Sequence, residues 1–157
     1  MADRDRDELG KARSSRPRDA LGRPLPHGSH GVPRIPEDLE LSPAQSLTYA
    51  QQLLDDGLAF NAHEVLEAAW KNAPDEERNM WQGLAQLAVG ITHIQRGNTV
   101  GAATVLSRAA ERLADRPEPA PHHIDVDGLI VHARALIDDL ERKADIAAAR
   151  LRPRLVT

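Results

Sequence analysis

The chain has no cysteine, which excludes a disulfide framework and thiolate chemistry. Aromatic residues are scarce, with one Phe, one Tyr and two Trp, so the stacking platforms of a nucleic-acid binder are missing. No stretch approaches the roughly 18 apolar residues of a membrane span. The first residues, Met1-Ala2-Asp3-Arg4-Asp5-Arg6-Asp7-Glu8, are charged where a secretory signal needs an apolar run. A cytoplasmic location, without a membrane or nucleic-acid partner, is the expectation.

What is present divides into three parts. Residues 1–41 hold five prolines and four glycines among eight Arg/Lys and eight Asp/Glu, too little apolar surface to offset the entropy of ordering. They read as a flexible leader. Its later part, Gly22-Arg23-Pro24-Leu25-Pro26 and Gly31-Val32-Pro33-Arg34-Ile35-Pro36, spaces apolar residues between prolines as an extended strap on a domain would. Residues 42–143 carry nine Arg/Lys against fifteen Asp/Glu, a net charge of −6, and lack the basic footprint of a nucleic-acid binder. Residues 144–157 form a basic C-terminal tail through Arg150, Arg152 and Arg154.

Periodicity makes residues 42–143 helical throughout. Ser42 followed by Pro43 is an N-cap with proline in the first turn, and Ala44, Leu47, Ala50 and Leu54 recur on one face until Gly57. A second helix runs from about Ala59 to Asn72 and stops before Ala73-Pro74. Asp75, Glu76 and Glu77 place negative charge at the start of a third, which carries Met80, Leu84, Leu87, Ile91 and Ile94 to Gly97. Asn98 caps a fourth over Thr99 to about Ala114, and Asp125 opens a fifth after a proline-rich loop. The expected fold is all-α, a compact up-and-down bundle of about five helices behind a Pro/Gly-rich leader.

Gly57 to Leu66 aligns with Gly97 to Leu106, a weak helix-hairpin repeat with a 40-residue offset. Where the second helix has His63, Glu64 and Glu67, the fourth has Ala103, Thr104 and Ser107, so packing alone does not demand an imidazole and two carboxylates. His63 and Trp70 flank the apolar arc of the second helix, and Glu67 lies just beyond. On the third helix Gln82, Gln86 and His93 fall within about 40° of one another. Gly83 and Gly90 repeat on a lateral face where another helix would come close. If the second face of that helix meets the second helix, the His, Glu and Gln side chains converge.

The run Phe60-Asn61-Ala62-His63-Glu64-Val65-Leu66-Glu67-Ala68-Ala69-Trp70, with Trp81-Gln82-Gly83-Leu84-Ala85-Gln86-Leu87-Ala88, His93 and Arg96-Gly97-Asn98, resembles the prokaryotic domain-of-unknown-function 309 family. The resemblance spans about residues 44–115. It implies an all-helical fold with the motif on facing helices, and no activity.

Two functional readings follow. The first is a non-enzymatic binding or scaffold module that takes a small polar ligand or a protein segment at His63, Glu64, Glu67, Trp70, Trp81, Gln82, Gln86 and His93, beside Phe60, without a cofactor. The alternative is a metal-dependent, hydrolase-like enzyme that holds a divalent ion with His63, Glu64, Glu67 and His93. His63-Glu64-x-x-Glu67 echoes the zinc-protease helix but has a carboxylate where that site needs its second imidazole. A third possibility is purely structural, with His63 and the glutamates fixing one helix against the next. His122-His123 reads as a solvated loop.

Overall fold

The computed structural model describes residues 5–6, 12–13, 18–23, 35–36 and 40–157. Helix α1 (Pro43–Asp55) opens on a full capping box: the Ser42 hydroxyl accepts from Gln45 N at 3.1 Å, and the Gln45 carboxamide accepts from Ser42 N at 3.0 Å. It closes on Gly57 at φ +77°, with Gly57 N donating to Leu54 O and Leu58 N to Leu53 O. Helix α2 (Ala59–Asn72) stops at Ala73 before Pro74, and a short 3₁₀ turn, Asp75–Glu77, leads into α3 (Arg78–Gln95). The α3 to α4 corner has the geometry of the first one, with Gly97 at φ +78° and Asn98 N donating to His93 O. The Asn98 side chain then caps α4 (Thr99–Ala114) by accepting from Gly101 N. Asp125 caps α5 (Val126–Glu141) in the same way through Gly128 N.

Each helix packs on the next in chain order, so the five form an up-and-down bundle. Its centre is aliphatic, with Leu54, Leu66, Leu84, Ile91, Leu106 and Leu136 all fully buried. Gly83 and Gly90 face α4. A Cβ on Gly83 would stand 2.9 Å from Leu113 Cγ and 3.0 Å from Leu113 N, and one on Gly90 would stand 2.6 Å from Leu106 Cδ2. Only glycine admits so close a backbone approach, and that approach fixes how α3 is rotated.

Two pieces of the leader touch the bundle. Asp19 to Arg23 form a tight turn in which the Asp19 carboxylate accepts from Leu21 N and Arg23 N, with Gly22 at φ +77°. Arg96 Nε donates to Leu21 O at 2.8 Å, and the Arg18 and Arg96 guanidiniums lie 5.1 and 5.8 Å from the centre of the Phe60 ring. Further along, Ile35 is only 6% exposed and joins the core. The central part of the expected strap, residues 24–34, lies outside the described residues. In the leader Asp5–Arg6 also pairs antiparallel with Ala12–Arg13 over two residues each.

Residues 144–157 are bound to the bundle rather than hanging from it. Leu155 is 1% exposed, its N–H donates to Gln51 Oε1 and its carbonyl accepts from Asp125 N. Arg154 pairs with Asp55 at 2.9 Å, and Arg150 with Asp139 at 2.6 Å. Two of the three arginines of the basic tail are thus paired with the acidic surface of their own domain. The anchors are scattered, with Leu155 and Pro153 buried, Ile146 and Leu151 partly so, and two ion pairs between them, a pattern without the periodicity that would stand out in sequence.

Candidate functional site

The outer face of α2 carries the polar set. His63 and Glu67 are one helical turn apart, so their side chains meet. Nδ1 of His63 donates to Phe60 O at 2.8 Å, and Nε2 lies 3.0 Å from Glu67 Oε2. Both partners are acceptors, so both bonds form together only when both ring nitrogens carry hydrogen. Lys71, another turn on, sits 3.6 Å from Glu67 Oε1. The hydrogen bond from His63 holds the Glu67 carboxyl below its ordinary value of 4.5, partial burial opposes this, and the charges of His63 and Lys71 add to the lowering. The Phe60 ring packs on the His63 imidazole at 5.0 Å between centroids.

These residues border a hollow of about 180 Å³ lined by Phe60, His63, Glu64, Glu67, Ala68 and Lys71, with Ile35 and Pro36 of the leader along its edge. Its lining is mixed, with Glu64, Glu67, Lys71 and the His63 imidazole beside the apolar Ile35, Pro36, Phe60 and Ala68.

Trp70, Trp81, Gln82, Gln86 and His93 do not line this hollow. Gln82 and Gln86 are half-buried on α3. Gln86 Oε1 is enclosed with no hydrogen-bond partner among the described residues. His93, near the end of α3, accepts at Nδ1 from Asn98 Nδ2 at 3.2 Å. Trp70 stacks beneath the Arg78 guanidinium at 5.4 Å. Trp81 is 1% exposed, donates from Nε1 to Glu77 Oε1 at 3.2 Å, and lines a different hollow. Gly83 and Gly90 turn one side of α3 to α4, and Arg78 and Arg96 at its two ends meet Trp70 and Phe60 of α2.

Among the described residues no three His, Asp or Glu side chains are grouped as metal ligands, so His63, Glu64, Glu67 and His93 do not form a ligand set. Sequence reasoning missed Lys71, Ile35 and Pro36 as site residues. The Glu67–Lys71 spacing of four on a helix was a usable signal for the first. The proline-spaced apolar pattern of the leader marked Ile35 and Pro36 as part of a strap without saying where on the domain it lies.

Among the described residues no helix is long and apolar enough to cross a membrane. Residues 47–105 match the family described as Domain of unknown function (DUF309), a span that includes every candidate on α2 and α3. The uncharacterized protein YpuF of Bacillus subtilis (strain 168) is 36% identical over 78 residues, covering 49% of this chain and 42% of that protein. The chain thus spans less than half of that relative's length. No solved structure matches. The span from α1 into α4, which carries the corners and the polar α2 face described above, is thus similar to the family described as Domain of unknown function (DUF309).

Proposed function

We propose that the domain is a non-enzymatic binding module that holds an extended, proline-containing protein segment on the outer face of α2. The observation that carries this reading is the position of Ile35-Pro36 against the groove of Phe60, His63, Glu64, Glu67 and Lys71. A segment of that chemistry is compatible with the face, and a fixed imidazole–carboxylate pair supplies orientation beside an apolar anchor. A purely structural role explains the pair less well, because His63 and Glu67 are partly open to solvent, at 18% and 41% side-chain exposure, rather than sealed between helices. The hydrolase reading has less support, since its four proposed ligands are not grouped.

The test uses the full chain with Ile35→Glu, which puts a charge where an apolar side chain is buried and so releases the leader. A synthetic peptide of residues 31–40 added to this variant should shift the amide resonances of residues 60–71, and His63→Ala in the same background should remove the response. A folded Ile35→Glu protein whose α2 amides ignore the peptide would refute the reading.

A further inference from the structure

A second hollow, on the opposite side of α2 from the groove, has a more selective chemistry. It measures about 290 Å³ and lies between the start of α1, the end of α2, the start of α3 and the turn at residues 121–123. At ~30 Å³ per water in the liquid this is space for a small organic molecule. Its walls are apolar, formed by Leu41, Pro74 and the Trp81 indole among others.

The polar groups on it are mostly acceptors. Glu77 Oε1 accepts from Trp81 Nε1 at 3.2 Å and from His122 Nε2 at 2.8 Å, so two donors on one oxygen fix the carboxylate and leave Oε2 for a third. Asn72 Nδ2 is committed to Ala68 O at 3.1 Å, which leaves its Oδ1 to accept. Ser46 is 2% exposed, lines the hollow, and its hydroxyl makes no hydrogen bond among the described residues. That leaves the hydroxyl, on the wall of the hollow, able to accept from a donor placed there. His122 closes one side, its ring 5.9 Å from the Trp81 indole, held there by left-handed backbone at His122 and His123, φ 59° and 60°.

We propose that this hollow binds a small organic amine, with its ammonium donating to Glu77, Asn72 and Ser46 and its apolar body against Trp81. An ammonium has three donors and no acceptor, which matches a carboxylate, an amide oxygen and a hydroxyl. An anion would meet the Glu77 charge, and a neutral alcohol would satisfy one acceptor and forgo the charge-assisted bond. The site is independent of the α2 groove and shares no lining residue with it.

Benzylamine, benzyl alcohol and benzoate are suitable probes for the full chain at neutral pH. The chain has two tryptophans, so Trp70→Phe leaves Trp81 as the sole indole reporter. Benzylamine should give a saturable change in emission, bind about tenfold more tightly than benzyl alcohol, and lose about tenfold in Glu77→Gln, which keeps an acceptor for the indole but removes the charge. Benzoate should give no saturation. His63→Ala should leave benzylamine binding intact, which separates this site from the α2 groove. Should Trp70→Phe or Glu77→Gln not fold, amide shifts of the wild-type chain with the same probes, and the effect of exposed Asn72→Ala, decide the matter. Equal response to amine and alcohol, indifference to Glu77→Gln and Asn72→Ala, or loss of binding in His63→Ala would overturn the proposal.

Discussion

Leu155→Ala tests whether the C-terminal segment is part of the folded unit. Leu155 is 1% exposed and belongs to the core cluster, although it is the third residue from the end. Removing its three outer carbons forfeits about 0.8 kcal/mol per buried carbon, roughly 2.4 kcal/mol. A leucine-sized void in a sealed core would raise this toward about 5 kcal/mol. Here Leu155 sits in an irregular segment between the exposed Arg154 and Val156, which relaxes into part of the void, so the expected loss is about 2–3 kcal/mol. For a domain of this size each kcal/mol moves the thermal midpoint by about 3–5 °C, which predicts a drop of about 6–15 °C. Urea titration and thermal melting followed by far-ultraviolet circular dichroism measure both quantities. Val156→Ala is the control, since Val156 is 40% exposed and should cost less than about 0.5 kcal/mol. If Leu155→Ala melts with the control, the docked segment contributes nothing and the reasoning fails.

Three further outcomes are expected. Gly83→Ala gains about 1 kcal/mol of helix propensity but sets a methyl 3.0 Å from Leu113 N and 3.2 Å from Ala109 O, backbone atoms that cannot swing aside; a net loss of about 1–2 kcal/mol in urea is predicted, and a neutral or stabilised variant would contradict the close approach of α3 to α4. Because Glu67 titrates below 4.5 in the folded chain, its contribution is complete above pH 4.5 and disappears as pH falls through the lowered value; the stability difference between wild type and Glu67→Gln should therefore shrink on acidification, and a constant difference would contradict the pairing. His132 donates from Nε2 to Arg150 O at 2.6 Å, and burial holds its pKa below the ordinary 6.5, with the carbonyl opposing and the Arg150 charge adding. The folded chain thus resists its protonation, so stability is full above pH 6.5 and declines as pH drops from 6.5 through the folded value; His132→Gln should flatten that part of the urea-midpoint profile, and an unchanged slope would count against the assignment.

The helices were legible in sequence because their signals are local. Ser42-Pro43, Gly57, Ala73-Pro74, Gly97-Asn98 and Asp125 each act within one turn of chain, and each sits at the helix boundary it implies. The lateral glycines announced a close neighbour without naming it; α4 is that neighbour. What the pattern did not carry was helix rotation. A difference of about 100° between adjacent positions decides whether Gln82 or Trp81 faces a given cavity, and contacts distant in the chain, Gly83 with Leu113 and Gly90 with Leu106, make that choice. Where the two ends dock was illegible for a similar reason, although the proline-spaced leader read as a strap. Ile35 and Leu155 are single apolar residues amid charge and proline, and their burial depends on surfaces built by the helices.

The last residues do more than cover apolar surface. Thr157 N donates to His123 O at 2.9 Å, Val156 bridges Ile124, and Pro153 O accepts from Gln51 Nε2 at 3.0 Å. The segment is therefore a splint from the middle of α1 to the turn that carries His122. A purification tag fused after Thr157 would pull on that splint, so the grip of His122 on Glu77 is best measured in protein whose tag has been cleaved or placed elsewhere.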